Sequence, residues 1–423
     1  MSPASRRTTT HRPAGRTLRR DPSRAPVGRR VTARPVAPRS ARAAVLLCTL
    51  LWTACASPSF EPRAFTPLPD PAPADVAAVL FLLGDAGQAT TRTSPLLHAL
   101  RADVERWAGA LGHAQAVTVL FLGDNVYPVG LHPPGTPDFP ADSTRLAAQA
   151  WTVSGPEARR FGARGVFVPG NHDWVGGGAE GLARLRAQQR LVSALGAKGP
   201  SLEYLPRPGA IGPSTLTLGA RARVLVLDTE AWLRADDDQV RRAATRELAN
   251  ALGEAGDKTV VLAAHHPLVT AGPHGGAHGR FDLVWPLRRM LGLTEDLNSD
   301  AYERMRAEMS QAFGRSGPPL VYAAGHDHSL QVIRGTDGDA PRWSLVSGAG
   351  SKTTRVGATG GTLYAAARPG YMRLVFLRSG RVDLFVLAAP RKFERCGGSE
   401  GNREACMRRG SAAFGPVYSV RLR

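Results

Sequence analysis

Short, continuous apolar runs recur along this chain, and each halts abruptly at a polar cluster. Val117 to Leu122 is the central one, and Gly123-Asp124-Asn125-Val126-Tyr127 follows it. Ala77 to Leu83 stops at Gly84-Asp85-Ala86-Gly87, and Gly165 to Pro169 stops at Gly170-Asn171-His172-Asp173. Thr259 to Ala264 runs into His265-His266-Pro267, and Pro319 to Ala324 into Gly325-His326-Asp327-His328. Apolar runs without polar alternation predict strands buried on both faces. Ala222 to Asp228 predicts another strand, while Trp343–Val346 and Tyr371–Leu387 read as strand and hairpin. Helical spacing dominates between them. Over residues 95–111 it places Leu96, Leu97, Leu100, Val104, Trp107 and Leu111 near one face. Residues 181–195, 236–254 and 282–313 are also predicted helical, and a Pro/Gly-rich loop covers 128–140. Strands alternating with helices predict an α/β fold, here one catalytic-size domain over residues 76–390.

At 423 residues the chain can bury a large core. Its formal net charge of +19 suggests a polyanion partner until the charge is located. Residues 1–42 hold 12 Arg and one Asp, so +8 remains for the other 381 residues. That opening lacks apolar periodicity and reads as a disordered or processed leader, and no nucleic acid is expected as a partner. Ala43 to Cys55 has the charged flank, apolar centre and small-residue end of an export signal. It is shorter than the ~20 residues of a membrane span. Thr53-Ala54-Cys55 resembles the end of a bacterial lipoprotein signal, with Trp52 where that pattern has Leu. Residues 1–55 are therefore read as leader and signal, with lipidation of Cys55 or plain cleavage as the two outcomes. Residues 56–75, rich in Pro and Ala, read as a tether. The expected location is periplasmic or membrane-anchored as a lipoprotein, otherwise secreted, with membrane contact only through a lipid anchor. Cys396 and Cys406 fall in a tail, residues 391–423. In an oxidising compartment they form a candidate disulfide worth ~2–3 kcal/mol, two free thiols being the alternative.

The polar clusters bring Asp85, Asp124, Asn171, His265 and the His326/His328 pair to strand ends, the edge where open α/β sheets bind ligands. Carboxylate oxygen, amide oxygen and imidazole nitrogen suit Fe, Mn or Zn rather than Ca. No cysteine stands among them, which excludes a structural thiolate zinc site. Two metals ~3.5–4 Å apart need a group that touches both, and a carboxylate such as Asp124 does so. Alternation at His326-Asp327-His328 puts both imidazoles on one face. Each residue alone has a bland explanation as a turn or a core histidine. Five such strand ends in one chain outweigh it.

Together the five blocks resemble those of the calcineurin-like metallophosphoesterases, over roughly residues 77–390. Tyr127, placed after Asp124, narrows the likeness to the purple (tartrate-resistant) acid phosphatases, as do Val224-Leu225-Val226-Leu227-Asp228-Thr229 and Ser347-Gly348-Ala349-Gly350. The resemblance implies a two-sheet β-sandwich flanked by helices, with the metal site at the C-terminal ends of strands. By position, it implies Asp85, Tyr127 and His328 on a first metal, Fe(III), with Asp124 bridging. Asn171, His265 and His326 would hold a second, which is Fe, Zn or Mn. His265 is favoured over His266 because the family ligand stands two before the proline. His172 and Asp173 are implied as catalytic, His172 facing substrate and Asp173 orienting its neighbours.

The implied activity is that of an exported dinuclear-metal phosphatase hydrolysing small-molecule phosphate monoesters by metal-activated hydroxide. A phosphodiesterase or nucleotide hydrolase could use the same centre. An inactive surface binding module is the non-enzymatic alternative, although all seven ligand positions carry competent residues. His274 and His278, in the Gly-rich loop after His265, are candidate substrate-binding residues or else exposed loop histidines. Departures from the family pattern are Trp174, where the small enzymes tend to have histidine, the pliable Gly176-Gly177-Gly178, and a long connection over 294–318.

Overall fold

The computed structural model describes residues 59–62, 65–91, 93–275, 299–336, 338, 340–391 and 400–423. Their strands build two sheets of seven. Numbered along the chain, the first sheet runs in space β14 (Gly415–Arg421), β13 (Val382–Ala388), β12 (Gly370–Leu377), β1 (Val76–Leu83), β2 (Val117–Phe121), β3 (Arg164–Phe167), β4 (Ser201–Tyr204). The second runs β11 (Thr362–Ala366), β9 (Leu330–Arg334), β10 (Trp343–Ser347), β8 (Val321–Ala324), β7 (Thr259–Ala263), β6 (Ala222–Val226), β5 (Ser214–Leu218). Strands β1 to β4 are parallel, as are β6, β7, β8 and β10.

Register decides where the parallel strands stop. Leu83 pairs with Phe121 and Phe121 with Phe167, so β1, β2 and β3 finish level with one another. In the second sheet Ala263 stands beside Ala323. Whatever follows these strands emerges on one edge of the sandwich.

Alternation along β1 explains the layers. Val79, Phe81 and Leu83 join the helix-side core, whereas Ala78, Leu80 and Leu82 join the core between the sheets. Both faces of β1 are apolar and buried, and the sequence therefore reads as one unbroken run. Helices Pro95–Leu111, Phe139–Ala150 and Gly178–Gly196 cover the first sheet. Helices Thr229–Leu233, Asp238–Gly253 and Asp300–Ser316 cover the second. The result is the expected α/β architecture, a two-sheet sandwich flanked by helices.

Two stretches outside residues 76–390 pack onto the domain. The proposed tether packs on the domain from Phe60, which bridges to Ala365, and Leu68 donates its N–H to Ser419 Oγ at 2.7 Å. The segment beyond residue 390 contributes a helix, Glu400–Ala412, and the edge strand β14. Apolar β13 pairs with β14, so the sheet needs this segment to cover its edge. Cys406 is disulfide-bonded, while Cys396, Cys55, His278 and the leader lie outside the described residues. So does most of the predicted helix 282–313, of which Asp300–Ser316 is the described part. Among the described residues, no helix is long and apolar enough to cross a membrane.

Candidate metal centre

The candidate donors converge at the level edge of the sandwich. Asp85 follows β1 through Gly84, and Asp124 follows β2 through Leu122 and Gly123. Both aspartates adopt left-handed backbone, with φ of 59° and 54°, and so does His326 after β8, with φ of 69°. Non-glycine residues enter this region at a cost, and such residues cluster at functional sites. Glycine makes the close approach feasible. A Cβ on Gly170 would lie 2.3 Å from Asp124 Oδ1, and one on Gly123 would lie 2.5 Å from His265 Nδ1.

Asp124 faces two groups of donors with its two oxygens. Its Oδ2 accepts from the Tyr127 hydroxyl at 2.8 Å. That hydroxyl also stands 3.0 Å from Asp85 Oδ1 and 3.0 Å from His328 Nε2. On the other side, Asp124 Oδ1 lies 3.4 Å from His265 Nε2 and accepts the His172 backbone N–H at 3.0 Å. Asn171 Oδ1 is 2.9 Å from His265 Nε2 and 3.3 Å from His326 Nδ1, and those two nitrogens are 3.3 Å apart.

These separations test whether a cation suits the residues. Donor atoms each ~2.1 Å from one metal stand about 3.0–3.4 Å from one another in octahedral or tetrahedral arrangement. Both clusters fall in or near that range. The tautomer of His265 agrees, because its Nδ1 lies 2.8 Å from the Leu122 carbonyl oxygen, which only accepts. Nδ1 therefore carries the proton and Nε2 turns its lone pair toward Asn171 Oδ1, another acceptor. Two acceptors face to face call for a positive charge between them, a metal ion or a proton on Nε2. Potential ligand atoms of Asp85, Asp124 and His265 lie within 4.8 Å of one another, as do those of His265, His266 and His326.

Titration tendencies express the same field. Burial opposes protonation of His265, yet the Asp124 and Asp85 carboxylates raise its pKa above the ordinary value. For His328 too burial works downward and Asp85 outweighs it. The Tyr127 phenol is pushed well above its usual range by burial first, then by Asp124 and Asp85. The pocket draws positive charge toward itself.

Surrounding residues hold this arrangement. Asp173 is fully buried and accepts N–H groups from Gly170 at 2.9 Å, Asn125 at 3.1 Å and Gln188 Nε2 at 3.1 Å. Burial and the nearby Asp124 raise its pKa to about 6. Asp173 therefore positions the Asn171 loop and does not face substrate. His172 packs its ring 4.6 Å from that of Tyr127, with Nδ1 2.6 Å from the Pro128 carbonyl oxygen. His266 turns away, its Nδ1 2.8 Å from Thr229 Oγ1. Burial first, then His265, pushes its pKa well below normal, so it stays neutral behind His265. His274 brings its ring centre to 4.3 Å from that of His326.

Several contacts that hold the site carried no signal in the sequence. Thr270 donates to Asp327 Oδ2, and Gln331 donates to Thr270 Oγ1 at 2.8 Å, latching the His274 loop to the His326 turn. Trp174 is buried rather than lining a pocket, and its Nε1 donates to Asp228 Oδ2 at 3.0 Å.

No family model matches the sequence, and no curated protein matches it. Among solved structures, the chain is similar to GAP50, the anchor in the inner membrane complex of Plasmodium. Identity there is 14%, with 80% of this chain and 95% of that chain covered and a TM-score of 0.48. It is also similar to the purple acid phosphatase PPD1 from yellow lupin seeds. There the identity is 12% and the TM-score 0.47, with 74% of this chain and 51% of that chain covered. Likenesses this distant leave the functional reading to the residues themselves.

Proposed function

We propose that this chain is a dinuclear-metal phosphomonoesterase of the purple acid phosphatase type. The observation that carries the reading is Asp124, whose two oxygens face separate donor groups at 2.8 and 3.4 Å. Asp85, Tyr127 and His328 would hold one metal, Fe(III), and Asn171, His265 and His326 a second, Fe, Zn or Mn. Bound there, such a pair would neutralise phosphoryl oxygens and lower the pKa of a water, so that hydroxide forms near neutral pH.

The chain's own residues supply the rest. His172 commits Nδ1–H to the Pro128 carbonyl, which leaves Nε2 as the atom that meets the departing ester oxygen. Asp173 fixes the Gly170–His172 backbone through the Gly170 N–H and thereby aims His172. His274, against His326, stands where it can contact a bound phosphate ester. The apolar run before Cys55 supports export, by lipidation at Cys55 or by cleavage.

Metal analysis with a visible spectrum tests this reading. Two metals per chain, a broad Tyr127–Fe(III) band and hydrolysis of a phosphate monoester are expected. Folded protein that takes up no metal under any reconstitution would sink it.

A further inference from the structure

Lys352 reaches the candidate centre from the segment just after Ser347-Gly348-Ala349-Gly350. After β10 the chain is tied back to the site at four points. Gly350 donates its N–H to Gly84 O at 3.1 Å, and Ser351 Oγ donates to Asp85 O. Thr354 N–H donates to His328 O at 2.8 Å, and Gly357 N–H to Ala271 O at 2.9 Å. Two of those acceptors belong to candidate ligands, Asp85 and His328. The segment is thus built onto the site rather than draped past it.

These ties set the Lys352 ammonium 4.6 Å from the centre of the Tyr127 ring, the same ring on which His172 packs. Lys352 is half-buried. Among the described residues no carboxylate forms an ion pair with it. Asp85 and Asp124 turn their oxygens to Tyr127, His326 and the His172 backbone. A fixed ammonium without a carboxylate partner, beside two clusters of cation ligands, is fitted to an anion that arrives from outside.

We propose that Lys352 is the specificity-determining cation of the site, reading the terminal oxygens of a dianionic phosphate and so ranking monoesters above diesters. The inference rests on the phosphatase reading above. A monoester presents two negative charges on three terminal oxygens. A diester presents one charge on two, with a second substituent in place of the third oxygen. An added cation therefore favours the monoester.

The test compares native protein with Lys352→Met, which keeps an unbranched stem against Tyr127, and Lys352→Arg, which keeps the charge. Three quantities are measured on metal-loaded protein: metal content, kcat and KM for 4-nitrophenyl phosphate and bis(4-nitrophenyl) phosphate, and calorimetric binding of inorganic phosphate. In Lys352→Met the metal content should match native. Monoester kcat/KM should fall roughly 10–100-fold, mainly through KM, the diester value less than about threefold, and phosphate affinity at least about tenfold. Lys352→Arg should restore most of the loss. An equal fall for both esters, or no change in KM and phosphate affinity, overturns the proposal. Native protein that hydrolyses neither ester would defeat the phosphatase reading instead. In that case the phosphate titration alone decides Lys352, an unchanged affinity counting against it and a weakened one for it.

Discussion

His265 and Leu122 join the two sheets at the candidate centre: the imidazole Nδ1–H of His265, after β7, donates to the Leu122 carbonyl, after β2, at 2.8 Å. One bond does two things. It ties the carboxyl edges of strands from different sheets, and it leaves Nε2 as the nitrogen free for a cation. The tautomer of a candidate ligand is thus set by the sandwich itself.

The bridging assignment predicts an ordered contrast between two neighbours. Asp124→Ala removes the carboxylate whose two oxygens face the two donor groups and should release both metals and abolish hydrolysis. His172→Ala should keep about two metals and lose ~100-fold or more in kcat. Metal analysis and steady-state rates on the same preparations check both, and full metal content in Asp124→Ala contradicts the assignment.

Tyr127→Phe keeps the buried ring and deletes the hydroxyl that Asp85, Asp124 and His328 surround. The visible band expected of a Tyr127–Fe(III) pair should be missing from this variant while the far-ultraviolet circular dichroism stays native. A band that survives the substitution would assign the colour to another group.

Gly170→Ala introduces a Cβ 2.3 Å from Asp124 Oδ1 and 2.4 Å from its backbone nitrogen. Neither atom belongs to a flexible chain end, so the Asn171 loop must shift. A loss of ~1–3 kcal/mol is expected, together with weaker metal retention against a chelator. Denaturant midpoints and chelator titration measure the two effects.

Asp228 caps the helix Thr229–Leu233 through the Ala231 N–H at 2.9 Å and accepts from Trp174, and burial raises its pKa to about 7. Between the ordinary carboxylate value and that figure, the folded state keeps a proton that the unfolded chain has lost. Stability contributed by this group is therefore full at low pH and declines as pH rises toward 7, by up to roughly 4 kcal/mol. Asp228→Asn retains an acceptor oxygen and removes the ionisation. Urea midpoints should show it close to native near pH 4 and more stable than native near pH 7.5. Parallel pH profiles for the two proteins would refute this.

Strands buried on both faces were the legible part of the fold, because β1, β2, β3, β7 and β8 need no polar side. β9 was hidden by Gln331, a buried polar residue whose Oε1 accepts the Ala271 N–H at 2.7 Å across the site. β5 alternates threonine with leucine, and β14 opens with Gly415-Pro416, so neither forms an apolar run. Candidate donors could be located because each sits one or a few residues beyond a recognisable strand. Lys352, Thr270 and the Trp174–Asp228 pair could not, since their roles depend on partners distant in sequence. Asp173 was legible as a neighbour of His172. That it is fully enclosed, and so acts by holding a loop, followed only from its five N–H donors at Gly170, Asn125, Val126 and Gln188.

The candidate donors are divided between the sheets, Asp85, Asp124, Tyr127 and Asn171 from one and His265, His326 and His328 from the other. A bound metal pair would act as a rivet through the sandwich, its affinity for the folded chain adding directly to the folding equilibrium. The amount of intact protein in a cell would then follow the supply of transition metal as well as the rate of synthesis. Scarcity would be felt as unfolding and turnover before it was felt as slow catalysis.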